Sequence, residues 1–265
     1  MATARLRAVP DAQRLVSGVS AVRLRVMSPG YSGFSAQYVD ALLRLRRVCA
    51  DRSIHFQWSG IQHLADIVSV RNEIARIFME SDFTHLLMVD GDIGYEPGDV
   101  MKMIDRDVDF AAGAPPARTL RIDLALRAAA AGEPAPESKA GRYFVTPLAE
   151  DQASGRMNLD AQGFARIDSI GGAFLLLRRA VFERLAPAHP ELQYTSVEGR
   201  PAVSYFEGGI VGGRRLGEDR MFCHRWRGAG GDIHLLIDAS MTHTGPFTFS
   251  GNFARFAGLQ SPPSV

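Results

Sequence analysis

Asp90 and Asp92 flank a single glycine at the end of the apolar run His85-Leu86-Leu87-Met88-Val89. Side chains alternate along an extended chain, so both carboxylates lie on one side of it. Two carboxylates this close repel, and one holds a proton unless a cation neutralises them. Hard oxygen ligands of this kind suit Mg²⁺ or Mn²⁺. Asp-Gly-Asp is also a common turn. The run in front of it and the partners farther along the chain weigh against a plain turn.

The run from Leu86 to Asp90 is too short for a helix and stops at Gly91, so it reads as a buried strand that exposes only its end. Around it the chain alternates strand and helix patterns. Val22, Leu24 and Val26 alternate with Arg23 and Arg25, which predicts a first strand over Ala21 to Met27. A small-residue loop, Ser28 to Gly33, leads to a helix from about Ser35 with Tyr38, Leu42, Leu45 and Cys49 on one face. His55 to Trp58 predicts a second strand, and Val70, Ile74, Ile77 and Phe78 give the stripe of a second helix. Asp109 to Gly113, Arg142 to Leu148, Phe164 to Ile170, Gly171 to Leu177 and Ile233 to Asp238 are further strand candidates. Helices are expected over Gly98–Asp105, Arg179–Leu185 and Glu218–Trp226, with a weak one ending at Ala131. Residues 151–162 read as a polar connection, and the glycine-rich 208–213 as a flexible loop or mobile lid.

Length and composition set the bounds. A chain of 265 residues with 46% hydrophobic and 22% charged residues predicts one large α/β domain with insertions. The expected division is a lead-in over 1–20, one catalytic domain over 21–250 and a tail over 251–265. A net charge of +1 gives no global field for nucleic acid or an anionic membrane. Cys49 and Cys223 are the only cysteines and give neither a disulfide framework nor a zinc spacing. No apolar run reaches membrane-span length, and residues 1–22 lack a continuous apolar segment of signal-peptide type. The expectation is a cytoplasmic protein with both thiols reduced.

Four features follow one another in the chain: Arg71-Asn72 at a helix start, Val89-Asp90-Gly91-Asp92, Gly217-Glu218-Asp219, and His243-Thr-Gly after a late strand. In this order, over roughly residues 22–250, they resemble the GT-A fold glycosyltransferases of the family 2-like kind. The resemblance implies a mixed central sheet flanked by helices, a nucleoside-diphosphate sugar donor, a divalent metal (Mn²⁺ or Mg²⁺) and an acceptor hydroxyl on a glycan, a protein or a small molecule. It implies Asp92 as direct metal ligand, Asp90 on ribose or a metal-bound water, and His243 as the late ligand, so that Asp90, Asp92 and His243 form the metal set. Neutral imidazole suits such a site, although a lone histidine also serves as a hydrogen-bonded turn residue.

The same resemblance makes Asp219 the base that takes the acceptor proton, with Glu218 beside it, in an inverting reaction. Helix capping accounts for this acidic pair equally well. Arg71 would pair with phosphate through its donor fork, Asn72 with the base or ribose, and Ser28 and Pro29 would lie beside the nucleobase. Gly91 belongs to the acidic motif, and Gly172 would let backbone approach a sugar closely; a tight turn before a strand is the alternative. Trp58 and Trp226 are stacking or core residues. The loop Ala114-Pro-Pro-Ala-Arg118 and the absence of a membrane helix depart from commoner members. A sugar-phosphate nucleotidyltransferase and a non-catalytic binding module of the same fold are the competing readings. Donor sugar, nucleobase, acceptor, stereochemistry, oligomeric state and the role of residues 114–162 stay open on sequence.

Overall fold

A computed structural model describes residues 22–259, apart from 32, 63–65, 135, 197–198 and 246–247. The expected lead-in over 1–20, Ala21 of the first strand and the last part of the expected tail lie outside the described residues.

The chain opens with β1 (Arg23–Pro29), α1 (Ala36–Asp51), β2 (His55–Ile61), α2 (Ile67–Met79) and β3 (His85–Val89). Ser35 caps α1 by accepting from Tyr38 N, and Asp66 caps α2 by accepting from Val68 N and Ser69 N. The buried face of α1 carries Tyr38, Ala41, Leu42, Leu45 and Cys49, the helical spacing read from the sequence. There follow β4 (Ile93–Tyr95), α3 (Pro97–Asp105), β5 (Phe110–Ala112), α4 (Ile122–Ala130), β6 (Val145–Pro147), α5 (Ala149–Ser154), β7 (Phe164–Ile170), β8 (Phe174–Arg178) and α6 (Arg179–Ala188). The chain goes on with β9 (Gln193–Thr195), β10 (Pro201–Val203), β11 (Gly209–Val211), β12 (Arg214–Leu216), α7 (Glu218–Gly228), β13 (Ile233–Leu236), β14 (Ser240–Thr244), β15 (Thr248–Asn252) and α8 (Phe253–Ala257).

Eight strands form one mixed sheet in the order β2-β1-β3-β8-β5-β13-β7-β6. β1 pairs in parallel with β2 and β3, whereas β8 runs antiparallel to both β3 and β5. This is the mixed α/β sheet flanked by helices that the motifs led us to expect. Every residue of β3 is buried. Leu86 and Met88 join the core beneath α2, α6 and α7, while Leu87 and Val89 join the opposite core with α1 and α3. Each such side chain stabilises the fold by about 1.5–3 kcal/mol relative to leaving it exposed.

Three expectations are corrected. The first four residues of the presumed polar connection, 151–154, belong to α5, with Asp151 buried and accepting from Asn158 Nδ2. The glycine-rich 208–213 stretch is part of the β11–β12 hairpin, with Gly212 and Gly213 in the left-handed region at its turn. Residues 251–257 are not tail but the end of β15 and α8, and Phe253 and Ala254 are buried in the core. Trp226 is a core residue whose Nε1 donates to the Asp232 carbonyl, and Trp58 is partly exposed and donates to the Tyr38 hydroxyl. Among the described residues no helix is long and apolar enough to cross a membrane.

His85, at the head of β3, is buried and shares a hydrogen bond between Nδ1 and the Thr84 hydroxyl. Burial, with Arg178 nearby and only Asp107 opposing, pushes its pKa down to about 4. The unfolded chain titrates near 6.5, so on acidification it takes up a proton that the folded chain refuses. Stability from this group is therefore full above about pH 6.5 and falls by roughly 3 kcal/mol towards pH 4. Urea unfolding across pH 4–7 should show this loss, and His85→Gln should flatten it.

Candidate active site

Asp90 leaves β3 with its backbone N–H donating to the Ala173 carbonyl, just before β8. The turn that follows is held by Gly91, whose N–H donates to Pro29 O and whose carbonyl accepts from Ser35 N. A Cβ at Gly91 would lie 2.6 Å from the Phe34 ring, so only glycine fits. Asp92 then precedes β4. β14 pairs antiparallel with β4, placing His243 opposite Ile93, and Thr244 N donates to the Asp92 carbonyl. That register sets His243 Nε2 3.3 Å from Asp92 Oδ2. On its other side Nδ1 lies 2.9 Å from the Pro116 carbonyl, which can only accept, so Nδ1 carries a hydrogen. Burial disfavours the imidazolium, but Asp92 and the Pro116 carbonyl outweigh it and raise the His243 pKa above its ordinary value.

Arg118 also reaches this point, its Nη1 3.3 Å from Asp92 Oδ2, while its side chain stays half exposed. It comes from the Ala-Pro-Pro-Ala-Arg loop whose role the sequence left open. Its position five residues past Gly113, the end of the strand pattern read there, was the available signal.

Arg71 sits elsewhere than expected. It is buried in α2, with Nη1 2.6 Å from Glu218 Oε1 and Nη2 3.7 Å from Asp90 Oδ1. Its fork faces carboxylates of this chain and is closed to solvent, so the phosphate role expected of it is corrected. Gly172 is corrected with it: a Cβ there would come 2.5 Å from Arg71 Nη1. The missing side chain makes room for the guanidinium instead of for a sugar. Asn72 is likewise committed internally, donating from Nδ2 to the Ser204 hydroxyl and accepting from Phe206 N at Oδ1. Ser28 is fully buried with its hydroxyl 2.5 Å from that of Tyr38, and Pro29 gives its carbonyl to Gly91. Neither offers a free group to a nucleobase.

Burial drives the Asp90 pKa up; Arg71 pulls it down, Asp92 adds to the rise and His243 opposes it. Asp90 Oδ1 is inaccessible and has no hydrogen-bond partner. At the start of α7, Glu218 is taken by Arg71, while Asp219 Oδ2 accepts from Gly172 N at 3.3 Å and Oδ1 from Arg220 N at 2.6 Å. The backbone of Gly172 and Ala173 thus ties Asp219 to Asp90. Among the described residues no three His, Cys, Asp or Glu side chains converge as a closed metal cage. Of the three residues expected as metal ligands, Asp92 and His243 meet, whereas Asp90 Oδ1 faces Arg71.

No protein-family model and no curated protein matches the chain. Solved structures similar to it include glycosyltransferases, the class the motifs resemble. One is GalNAc-T7 with UDP, GalNAc and Mn²⁺, at 9% identity and a TM-score of 0.45, covering 84% of this chain and 43% of that one. Another is S. aureus TarS 1–349 with UDP, at 12% identity and a TM-score of 0.37, covering 81% and 58%. A third is a glycosyltransferase involved in glycosylation of the major capsid of PBCV-1, at 10% identity and a TM-score of 0.26, covering 34% and 51%. The chain spans about half the length of these structures.

Removing the cation between two acidic groups leaves them buried and unpaired. Arg71→Met should therefore lower stability by roughly 3 kcal/mol, the low end for a broken buried pair because Glu218 and Asp90 keep some exposure. Gly172→Ala should act in the same direction by displacing the guanidinium. Denaturant unfolding of both variants checks this; unchanged midpoints would mean that Arg71 is dispensable to the fold.

Proposed function

We propose that this chain is a metal-dependent glycosyltransferase that moves a sugar from a nucleoside diphosphate to an acceptor hydroxyl with inversion. The observation that carries the reading is the meeting of Asp92 and His243 at the rim where β3 ends, with Asp219 on the same rim. The donor set fits a divalent ion. Asp92 offers carboxylate oxygen, and His243 points Nε2 at the same place because the Pro116 carbonyl fixes Nδ1 as donor. Asp92 and His243 would hold the ion, and Asp90 would meet ribose or a water. When bound, the ion supplies charge stabilisation to the departing diphosphate.

The chain's own groups do the rest. Arg118, half exposed beside Asp92, is the cation free to swing onto a phosphate oxygen. It takes the role the sequence assigned to Arg71. Arg71 instead neutralises Asp90 and Glu218, which leaves Asp219 as the acidic side chain of this helix start without an arginine partner in this site. Each Asp219 oxygen accepts one hydrogen bond, so a lone pair remains to accept the proton of an attacking hydroxyl. The fixed N–H of Gly172 orients the carboxylate for that.

Donor binding and donor hydrolysis, measured with and without Mn²⁺, test the proposal. Wild-type protein should bind a nucleotide-sugar only when Mn²⁺ or Mg²⁺ is present. Asp92→Asn and His243→Ala should abolish the metal-dependent gain. Asp219→Asn should bind donor within about twofold of wild type yet lose transfer by roughly 100-fold or more. Failure of every nucleotide-sugar to bind in the presence of metal would end the proposal.

A further inference from the structure

A narrow slot of about 50 Å³ opens beside His243. Its wall is Ala114, Pro115, Pro116, Ala117, Ile170 and Ala173, with the exposed Phe144 and, next to it, Gly171. A group the size of one water needs about 10–15 Å³ of such space, so a methyl or ethyl group enters and a sugar ring does not.

The slot is walled almost wholly by apolar atoms. Pro115 and Pro116 have no N–H. Ala117 N donates to Arg142 O, and Gly171 N donates to Phe144 O. The carbonyls of Pro116 and Ala173 already accept, from His243 Nδ1 and from Asp90 N. His243 is committed to Pro116 and Asp92. A hydroxyl pushed into this space gives up its water without gaining a donor, whereas a methyl group gains burial.

The slot also has a fixed place in the site. His243, beside Asp92, is part of its lining. So is Gly171, where an added Cβ would be 3.7 Å from Asp219 Oδ2. On the reading proposed above, on which this inference rests, the diphosphate is held beside His243 and the acceptor proton is taken beside Gly171. The sugar being transferred lies between the two.

We infer that this slot selects a donor sugar bearing a methyl group, carried either at C6 of a 6-deoxyhexose or on an acetamido substituent. The chemistry recognised is the same in both cases, a methyl in a dry apolar notch beside the reacting carbon. Plain hexoses present a hydroxyl or hydroxymethyl there and are rejected.

The test is calorimetric titration of the full chain, with Mn²⁺, against donors matched in nucleobase. UDP-glucose is compared with UDP-6-deoxyglucose and with UDP-N-acetylglucosamine, and GDP-mannose with GDP-6-deoxymannose. In at least one matched set the methyl-bearing donor should bind roughly tenfold tighter or more than its hydroxylated partner. The 6-deoxy and acetamido arms tell the two sources apart. Ala173→Val and, independently, Ala117→Leu fill the slot and should bring that ratio close to one, while affinity for free UDP or GDP stays unchanged and reports an intact fold. Equal affinities for methyl-bearing and hydroxylated donors, with nucleotide-sugars binding well, would overturn the slot inference and leave the glycosyltransferase reading standing. No binding of any nucleotide-sugar would overturn both.

Discussion

One buried guanidinium holds the acidic rim together. Arg71 reaches from α2 to Glu218 on α7 and faces Asp90 at the end of β3, so three elements distant in sequence meet on one cation. Without it the partly buried Asp90 and Glu218 would both lose their cation, at a cost of roughly 3 kcal/mol. The interaction needs space as well as charge, and Gly172 provides that space. The absent side chain at Gly172 and the long one at Arg71 are two halves of one packing solution.

The second constraint is a register. His243 meets Asp92 because β14 pairs with β4 one residue beyond the acidic turn, and a slip of one residue would carry His243 to the other face. Met241, two residues earlier on the same face, anchors the register by packing into the core. The loop after β5 closes the arrangement from above. Its Pro116 carbonyl orients His243, and its Arg118 reaches Asp92. A single short loop therefore sets the imidazole tautomer, supplies an exposed cation and walls the apolar slot.

What was legible in the sequence follows from the range of the forces involved. Local signals read well: the buried run His85–Val89, the helical stripe of α1 and the helix opened by Glu218-Asp219 all appear within a residue or two of their expected places. The small sheet of β4, β14 and β15 was not read, because strands of three to five residues rich in Thr, Ser and Gly carry little apolar alternation. α5 was missed because a six-residue polar helix has no stripe to detect. The roles of Arg71, Asn72 and Gly172 were misjudged for a different reason. Their partners lie up to 147 residues away, and nothing in local spacing distinguishes an arginine bound for phosphate from one bound for a carboxylate.

Asp219 poses the hardest choice between structure and chemistry. Helix capping explains acidic residues in a first turn, and the contact from Arg220 N to Oδ1 is of that local kind. It does not explain the contact from Gly172 N to Oδ2, which comes from the loop before β8. A carboxylate that served α7 alone would turn towards that helix's own free N–H groups. This one turns across to the loop whose next residue, Ala173, receives Asp90 N. Glu218, one residue earlier and equally suited to a first turn, is spent on Arg71. The two neighbours therefore divide by direction: Glu218 pairs with a buried cation, and Asp219 accepts from the loop before β8.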